Sequence, residues 1–183
     1  MLEDGSVYEG TARGDFKETA CEIVFNTSMT GYVEILTDPS YAGQGVVMTY
    51  PMIGNYGISR EDFESERLQP SAFIVHELSS DPSNFRCTDT IENLLKEYNI
   101  PCISGVDTRA VVKKLRESGT MRGVLTSDIG DRERLMDVIK SFRQIDLVGS
   151  VTAKQTKVYG EENTGAEIAL MDFGTKRNII NNL

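Results

Sequence analysis

The 183-residue chain carries 28 acidic against 19 basic side chains, and its formal charge of −9 argues against a nucleic-acid backbone or an anionic membrane as the main partner. With 39% hydrophobic and 26% charged residues it has the composition of an ordinary globular protein, long enough for one domain and a fragment of a second. Its three cysteines (Cys21, Cys87 and Cys102) lack C-x-x-C spacing, which speaks against a disulfide framework and for a reducing, cytoplasmic setting.

The opening MLEDGSVYEG has no basic region followed by an apolar core, so no secretory signal is expected, and no apolar run is long enough for a bilayer span. Apolar and β-branched residues at 7–8, 23–25, 32–36 and 46–50, separated by turn residues, predict strands. Between the last two lies TDPS, a turn in which Pro39 fixes its own φ and Asp38 can accept from nearby backbone amides, so the stretch reads as a hairpin. MIGNYG, with glycines at 54 and 57, reads as a loop, the charged EDFESERLQP as a surface excursion, and residues 72–75 as a further strand.

Beyond residue 85 the period of the apolar pattern changes from 2 to 3.6. Asp89 with Glu92 resembles a capping box, followed by the stripe Ile91, Leu94, Leu95 and Tyr98; Pro101 ends that helix and residues 103–106 form a short buried strand. Asp107 caps a second helix with the stripe Ala110, Val111 and Leu115, ending at Gly119. Residues 124–125 are strand-like, and a third helix runs from about Asp131 to Phe142. Strands first and helix–strand alternation later predict an α/β or α+β domain with helices covering one side of its sheets. The polar, aperiodic residues 152–166 read as a linker. EIALMDFGTKRNIINNL then reads as a strand, a glycine turn and a helix start, the opening of a second, truncated domain.

No catalytic constellation is legible. Ser28 or Ser40 would need a base, and the single histidine, His76, sits in the apolar strand AFIVHEL, where a structural role is the plainer reading. Cys21 and Cys102 fit as small core residues, and Cys87 has no base beside it in the sequence. One histidine and scattered Cys and Asp residues give no metal-ligand spacing. DFGTKRN lacks the length and lysine position of a phosphate-binding loop, and its DFG stands without the other kinase elements. The basic run in DTRAVVKKLRESGTMRG is explained by a solvated helix face.

VFNTSMTGYVEILTDPSYAGQ followed by MTYPMIGNYG closely resembles the N-terminal domain of the small subunit of glutamine-hydrolysing carbamoyl-phosphate synthetase. EDFESERLQPSAFIVHE, GVDTRAVVKKLRESGTMRG and ALMDFGTKRNII match the same family in the same order, so the resemblance covers essentially the whole chain. It implies a three-layer β/β/α sandwich of the swivelling-domain type over residues 1–151, a linker at 152–166, and at 167–183 the first strand and helix of a class I glutamine amidotransferase domain. That domain's Cys–His–Glu triad would lie beyond Leu183, so the chain alone is expected to be inactive. The resemblance further implies that Ser40, in the TDPSY turn, contacts bound glutamine. It implies docking on the large subunit, which uses ATP, magnesium and bicarbonate to make carbamoyl phosphate for arginine and pyrimidine synthesis; no cofactor, metal, nucleic acid or membrane is expected on this chain. NTSMTGY and YPMIGNYG are the candidate docking loops. The competing readings are a free-standing, non-catalytic interaction domain of the same fold and an independent hydrolase using Ser28 or Ser40 with His76.

Overall fold

The structure is a computed structural model that describes residues 1–183 except positions 15, 144, 145, 161 and 163, two of which fall within the expected linker. It is an α/β body built on one mixed six-stranded sheet. The strands are β1 (Thr11–Arg13), β2 (Thr19–Asn26), β3 (Gln44–Met48), β5 (Ala72–Ile74), β7 (Cys102–Ser104) and β8 (Met121–Leu125), in spatial order β1-β7-β5-β3-β2-β8. The four central strands β7, β5, β3 and β2 pair in parallel, and β1 and β8 close the edges antiparallel. A separate two-stranded parallel ribbon joins β4 (Met52–Ile53) to β6 (Glu77–Leu78), so the expected MIGNYG loop begins as a strand.

Parallel neighbours cannot be joined by a hairpin; they need a crossover. For this reason residues 32–36, expected as a strand, form α1 (Tyr32–Thr37), which carries the chain from the end of β2 back to the start of β3. The quoted turn is therefore not the tip of a hairpin. YVEIL misled because α1 is buried on almost every side: Tyr32, Val33, Ile35 and Leu36 all enter the core, so no amphipathic stripe marks it. Its first turn has no side-chain cap from its own sequence. Gly31 adopts φ 80°, and the Tyr56 hydroxyl accepts from the Gly31 amide at 2.6 Å and from the Tyr32 amide at 3.2 Å.

The period-2 alternation of the strands divides the core. Val46, Met48, Phe73, Val75 and Cys102 face one side with Leu36 of α1 and with Leu94 and Leu95 of α2 (Ile91–Glu97). Val47, Ala72 and Ile74 face the other, against Val111, Val112 and Leu115 of α3 (Thr108–Ser118). Helices thus cover both faces, not one, because α3 crosses beneath the sheet from β7 to the far edge strand β8. α4 (Arg132–Ser141) packs Leu135 and Ile139 against Val124 at that edge.

Asp107 caps α3 by accepting from the Ala110 amide at 2.9 Å, and Gly119 ends it. At α2 the cap is Thr90, which accepts from the Asn93 amide, while Asp89 accepts from the Thr90 amide and the Asn93 side chain. The charged excursion at 61–70 is pinned rather than free, because Phe63 and Leu68 are buried in the core. Residues 7–8 form no strand; Tyr8 packs instead against the α3 side of the sheet. Among the described residues no helix is long and apolar enough to cross a membrane.

Candidate functional site

The TDPSY stretch sits where α1 ends and β3 begins. Pro39 keeps Asp38 extended, with ψ 119°, which terminates the helix and starts a single 3-10 turn over Pro39–Tyr41. The Asp38 side chain then accepts from the Ser40 amide at 2.9 Å, as the sequence predicts for this aspartate. Ser40 itself is exposed, directly after the buried Asp38 and Pro39. Its hydroxyl makes no hydrogen bond among the described residues, because Asp38 and not the serine satisfies the turn. A free hydroxyl on a fixed turn can both donate to and accept from a polar group presented to it.

The end of the chain comes to this same turn. The expected strand at residues 168–171 does not form: Ile168, Leu170 and Met171 stay exposed, since one strand without a neighbour satisfies neither its amides nor its apolar face. From Asp172 onward, however, the segment is tethered. Asp172 accepts from the Gly174 and Thr175 amides at 2.9 and 2.7 Å, contacts that hold its carboxyl below the ordinary range. Gly174, at φ 107°, lies so close to Pro39 and Val151 that a Cβ there would come within 3.1 Å of the proline and 2.8 Å of the valine. Lys176 donates to the second Asp38 oxygen at 2.7 Å, and the Asp38 carboxylate holds its ammonium above the ordinary lysine range. Glu64 accepts from the amides of Arg177 (backbone oxygen, 2.8 Å) and Asn178 (side chain, 3.0 Å), the start of the short helix Arg177–Asn181. Glu64 is in turn fixed by its own amide on Thr37 of α1. No local motif announces Glu64 or Lys176 in this role; only Asp172-x-Gly174 carries a turn signal in the sequence.

The two loops expected to dock a partner are brought together. Tyr32 and Tyr56 stack with ring centroids 4.1 Å apart, and Tyr32 donates from its hydroxyl to the Gly57 carbonyl at 2.8 Å. Burial pushes both phenols up. Beside them opens a polar cleft of about 260 Å³ whose lining includes Thr30, Glu34, Tyr56, Asp62 and Arg86. Burial raises the Glu34 carboxyl, and Arg86 is held by Asp62 at 2.6 Å. A second, largely apolar cavity of about 420 Å³ lies on the α3 side of the sheet, lined in part by Tyr8, Phe16, Val47 and Ile103.

The remaining nucleophile candidates are not assembled. Among the described residues no hydrogen bond joins Ser28 or Ser40 to His76, whose Nδ1 instead lies 3.1 Å from the Val106 carbonyl. Burial pushes the Cys21 and Cys102 thiols up to about 12, so neither is a thiolate at neutral pH. Cys87, half-buried, donates to the Asp89 carbonyl at 3.4 Å. No group of three or more His, Cys, Asp or Glu side chains that could hold a metal occurs among the described residues.

Residues 1–125 match the family described as carbamoyl-phosphate synthase small chain, CPSase domain. The carbamoyl phosphate synthase small chain of Clostridium perfringens is 47% identical over 183 residues, all of this chain and 52% of that protein. The one from Archaeoglobus fulgidus is 47% identical over 187 aligned residues (100% of this chain, 51% of its own), and that of Listeria monocytogenes is 42% identical over 184 (100% and 50%). The chain spans about half the length of the curated relatives it matches. Matched to the family over its first 125 residues and aligned along its whole length with these relatives, the chain belongs to the carbamoyl-phosphate synthase small-chain family.

Proposed function

We propose that this chain is the non-catalytic N-terminal part of the glutamine-hydrolysing subunit of a carbamoyl-phosphate synthase, and that it supplies Ser40 as one wall of the glutamine site. The observation that carries the reading is the free Ser40 hydroxyl, fixed by Asp38 on a turn to which residues 172–178 are tied. In this reading residues 1–151 form the docking body, of the three-layer β/β/α swivelling type, residues 152–166 the linker, and residues 167–183 the opening of the amidotransferase domain. The two-stranded ribbon beside the six-stranded sheet supports that layered arrangement. The triad that attacks glutamine belongs to the continuation of that domain, and the failure of Ser28, His76 and the cysteines to form a nucleophilic pair agrees with this division of labour.

The body docks on the large, synthetase subunit through the loops joined by Tyr32 and Tyr56. Ammonia from glutamine passes to that partner, which uses ATP, magnesium and bicarbonate; this chain binds no cofactor. The assembly works in the cytoplasm and supplies arginine and pyrimidine synthesis. To test the reading, the complete subunit and its large partner are combined and assayed for carbamoyl phosphate, beside this 183-residue chain alone. The expected result is glutamine-dependent product from the complex and no release of ammonia from glutamine by the chain alone. Glutaminase activity in the chain alone, or a complete subunit that neither binds the partner nor supports synthesis, overturns it.

A further inference from the structure

We propose that Phe85 is the anchor by which this chain docks on the large subunit, seated there in an apolar socket bordered by a basic group. The inference rests on the reading of the chain as a docking body and adds where that contact is centred. Phe85 is 97% exposed, more than any other large apolar side chain among the described residues. A single exposed apolar residue is ordinary on a protein surface. The loop that carries this one is not, because it is pinned on both sides of the ring. The Ser83 amide donates to the Asn55 carbonyl at 2.9 Å, and Thr88 donates from its amide and its hydroxyl to the Ile58 carbonyl at 2.8 and 3.0 Å. Between them Asn84 accepts from the Arg86 amide through its side chain at 2.8 Å and from the Cys87 amide through its carbonyl at 3.0 Å, which closes a turn around Phe85. The Arg86 guanidinium donates to Asp62 at 2.6 Å, Glu61 at 3.2 Å and Ser59 at 3.3 Å. The ring is held out in water and does not fold back onto the body. An aromatic side chain on a loop already fixed has little ordering left to lose when a partner covers it.

The position of the loop identifies the partner. Asn84 and Arg86, on either side of Phe85, line the polar cleft together with Thr30 of the NTSMTGY loop and Tyr56 of the YPMIGNYG loop, the two loops assigned to docking. Phe85 therefore extends that same surface. The cleft also sets the charge of what meets it. Its carboxylates are Glu34 and Asp62; Asp62 is paired with Arg86, whereas Glu34 makes no ion pair among the described residues. A basic group on the partner, beside the socket for Phe85, complements Glu34 and the −9 charge of the chain.

The test measures the Kd of the complete subunit for its large partner by isothermal titration, with the unfolding midpoint and the sedimentation of each complete subunit read beside it. Phe85→Ala is expected to raise the Kd ~30-fold, the loss of an anchor residue, with the unfolding midpoint unchanged. Phe85→Leu, apolar but smaller, is expected to fall between the parent and Phe85→Ala. Glu34→Gln is expected to raise the Kd about threefold and to weaken its dependence on salt. A Phe85→Ala subunit that binds with the parent's Kd overturns the anchor while the docking reading stands; a parent subunit that does not bind the large partner removes both. A lowered unfolding midpoint in Phe85→Ala shows the ring covered by the subunit's own continuation, and self-association of the parent that Phe85→Ala abolishes shows it covered by a second copy. Either result overturns the proposal. An unchanged Kd and salt dependence in Glu34→Gln overturns the basic border of the socket.

Discussion

The sheet body and the segment after α4 are held by different forces. In the body, Phe73, Leu36, Met48 and Leu95 are buried almost completely between the sheet and its helices, and each such side chain contributes roughly 1.5–3 kcal/mol by leaving water. After residue 147 the described chain buries no large apolar residue; it is attached by hydrogen bonds and ion pairs at Asp38, Glu64, Glu66 and Arg67. Contacts of this kind are individually worth about 0–1 kcal/mol when exposed. The body is therefore the part that folds, and the segment is the part that is positioned, so damage to each registers in a different measurement.

The sharpest contrast is a core truncation. Phe73→Ala, which empties a site with no exposed surface between β3 and β7, is expected to lower unfolding free energy by about 3–5 kcal/mol in a denaturant titration. Next comes Tyr56→Phe. It strips the acceptor from the Gly31 and Tyr32 amides at the start of a buried helix and is expected to lower stability by about 1–3 kcal/mol in the same titration. Glu64→Ala acts on the attached segment. It is expected to move the denaturant midpoint by less than about 0.5 kcal/mol while residues 172–183 become markedly faster to cleave in limited proteolysis, since the segment opens without the body. A large drop in global stability would show that the two regions form one cooperative unit.

The smallest effect is electrostatic. The Arg134 guanidinium, with the Thr126 hydroxyl, holds the Glu18 carboxyl at about 2, below its ordinary 4.5. A carboxyl depressed in the folded state adds stability that is present above about 4.5 and lost as the pH falls toward 2. Because the pair is exposed, Arg134→Met is expected to cost only a few tenths of a kcal/mol at neutral pH, within the ~0–1 range for surface pairs. The difference between the variant and the parent should shrink through that acid window when stability is followed against pH.

Which parts were legible in the sequence follows from the same contrast. Where an element has one wet face and one dry face, its period shows: α3 was readable from its cap at Asp107 to its stop at Gly119, and α4 from Asp131 to Phe142. α1 was not readable, because a short helix buried on nearly all sides carries the same β-branched and aromatic residues as a strand. Its identity depends on β2 and β3 running parallel, which is a property of the whole sheet. Likewise, the resemblance singled out Ser40 and the turn chemistry of Asp38 gave half of its support, while Lys176 and Glu64 are remote from the turn in sequence. Their roles rest on a junction that forms only in three dimensions.

The most direct test of Ser40's role is the glutamine dependence of the Ser40→Ala variant in the complete subunit assembled with its large partner. A KM for glutamine raised about tenfold or more, the cost of ~1.4 kcal/mol of lost binding, with ammonia-driven synthesis unchanged, is the predicted result. A Ser40→Ala enzyme whose glutamine dependence matches the parent would contradict it, and would leave the exposed serine as a surface feature of the turn.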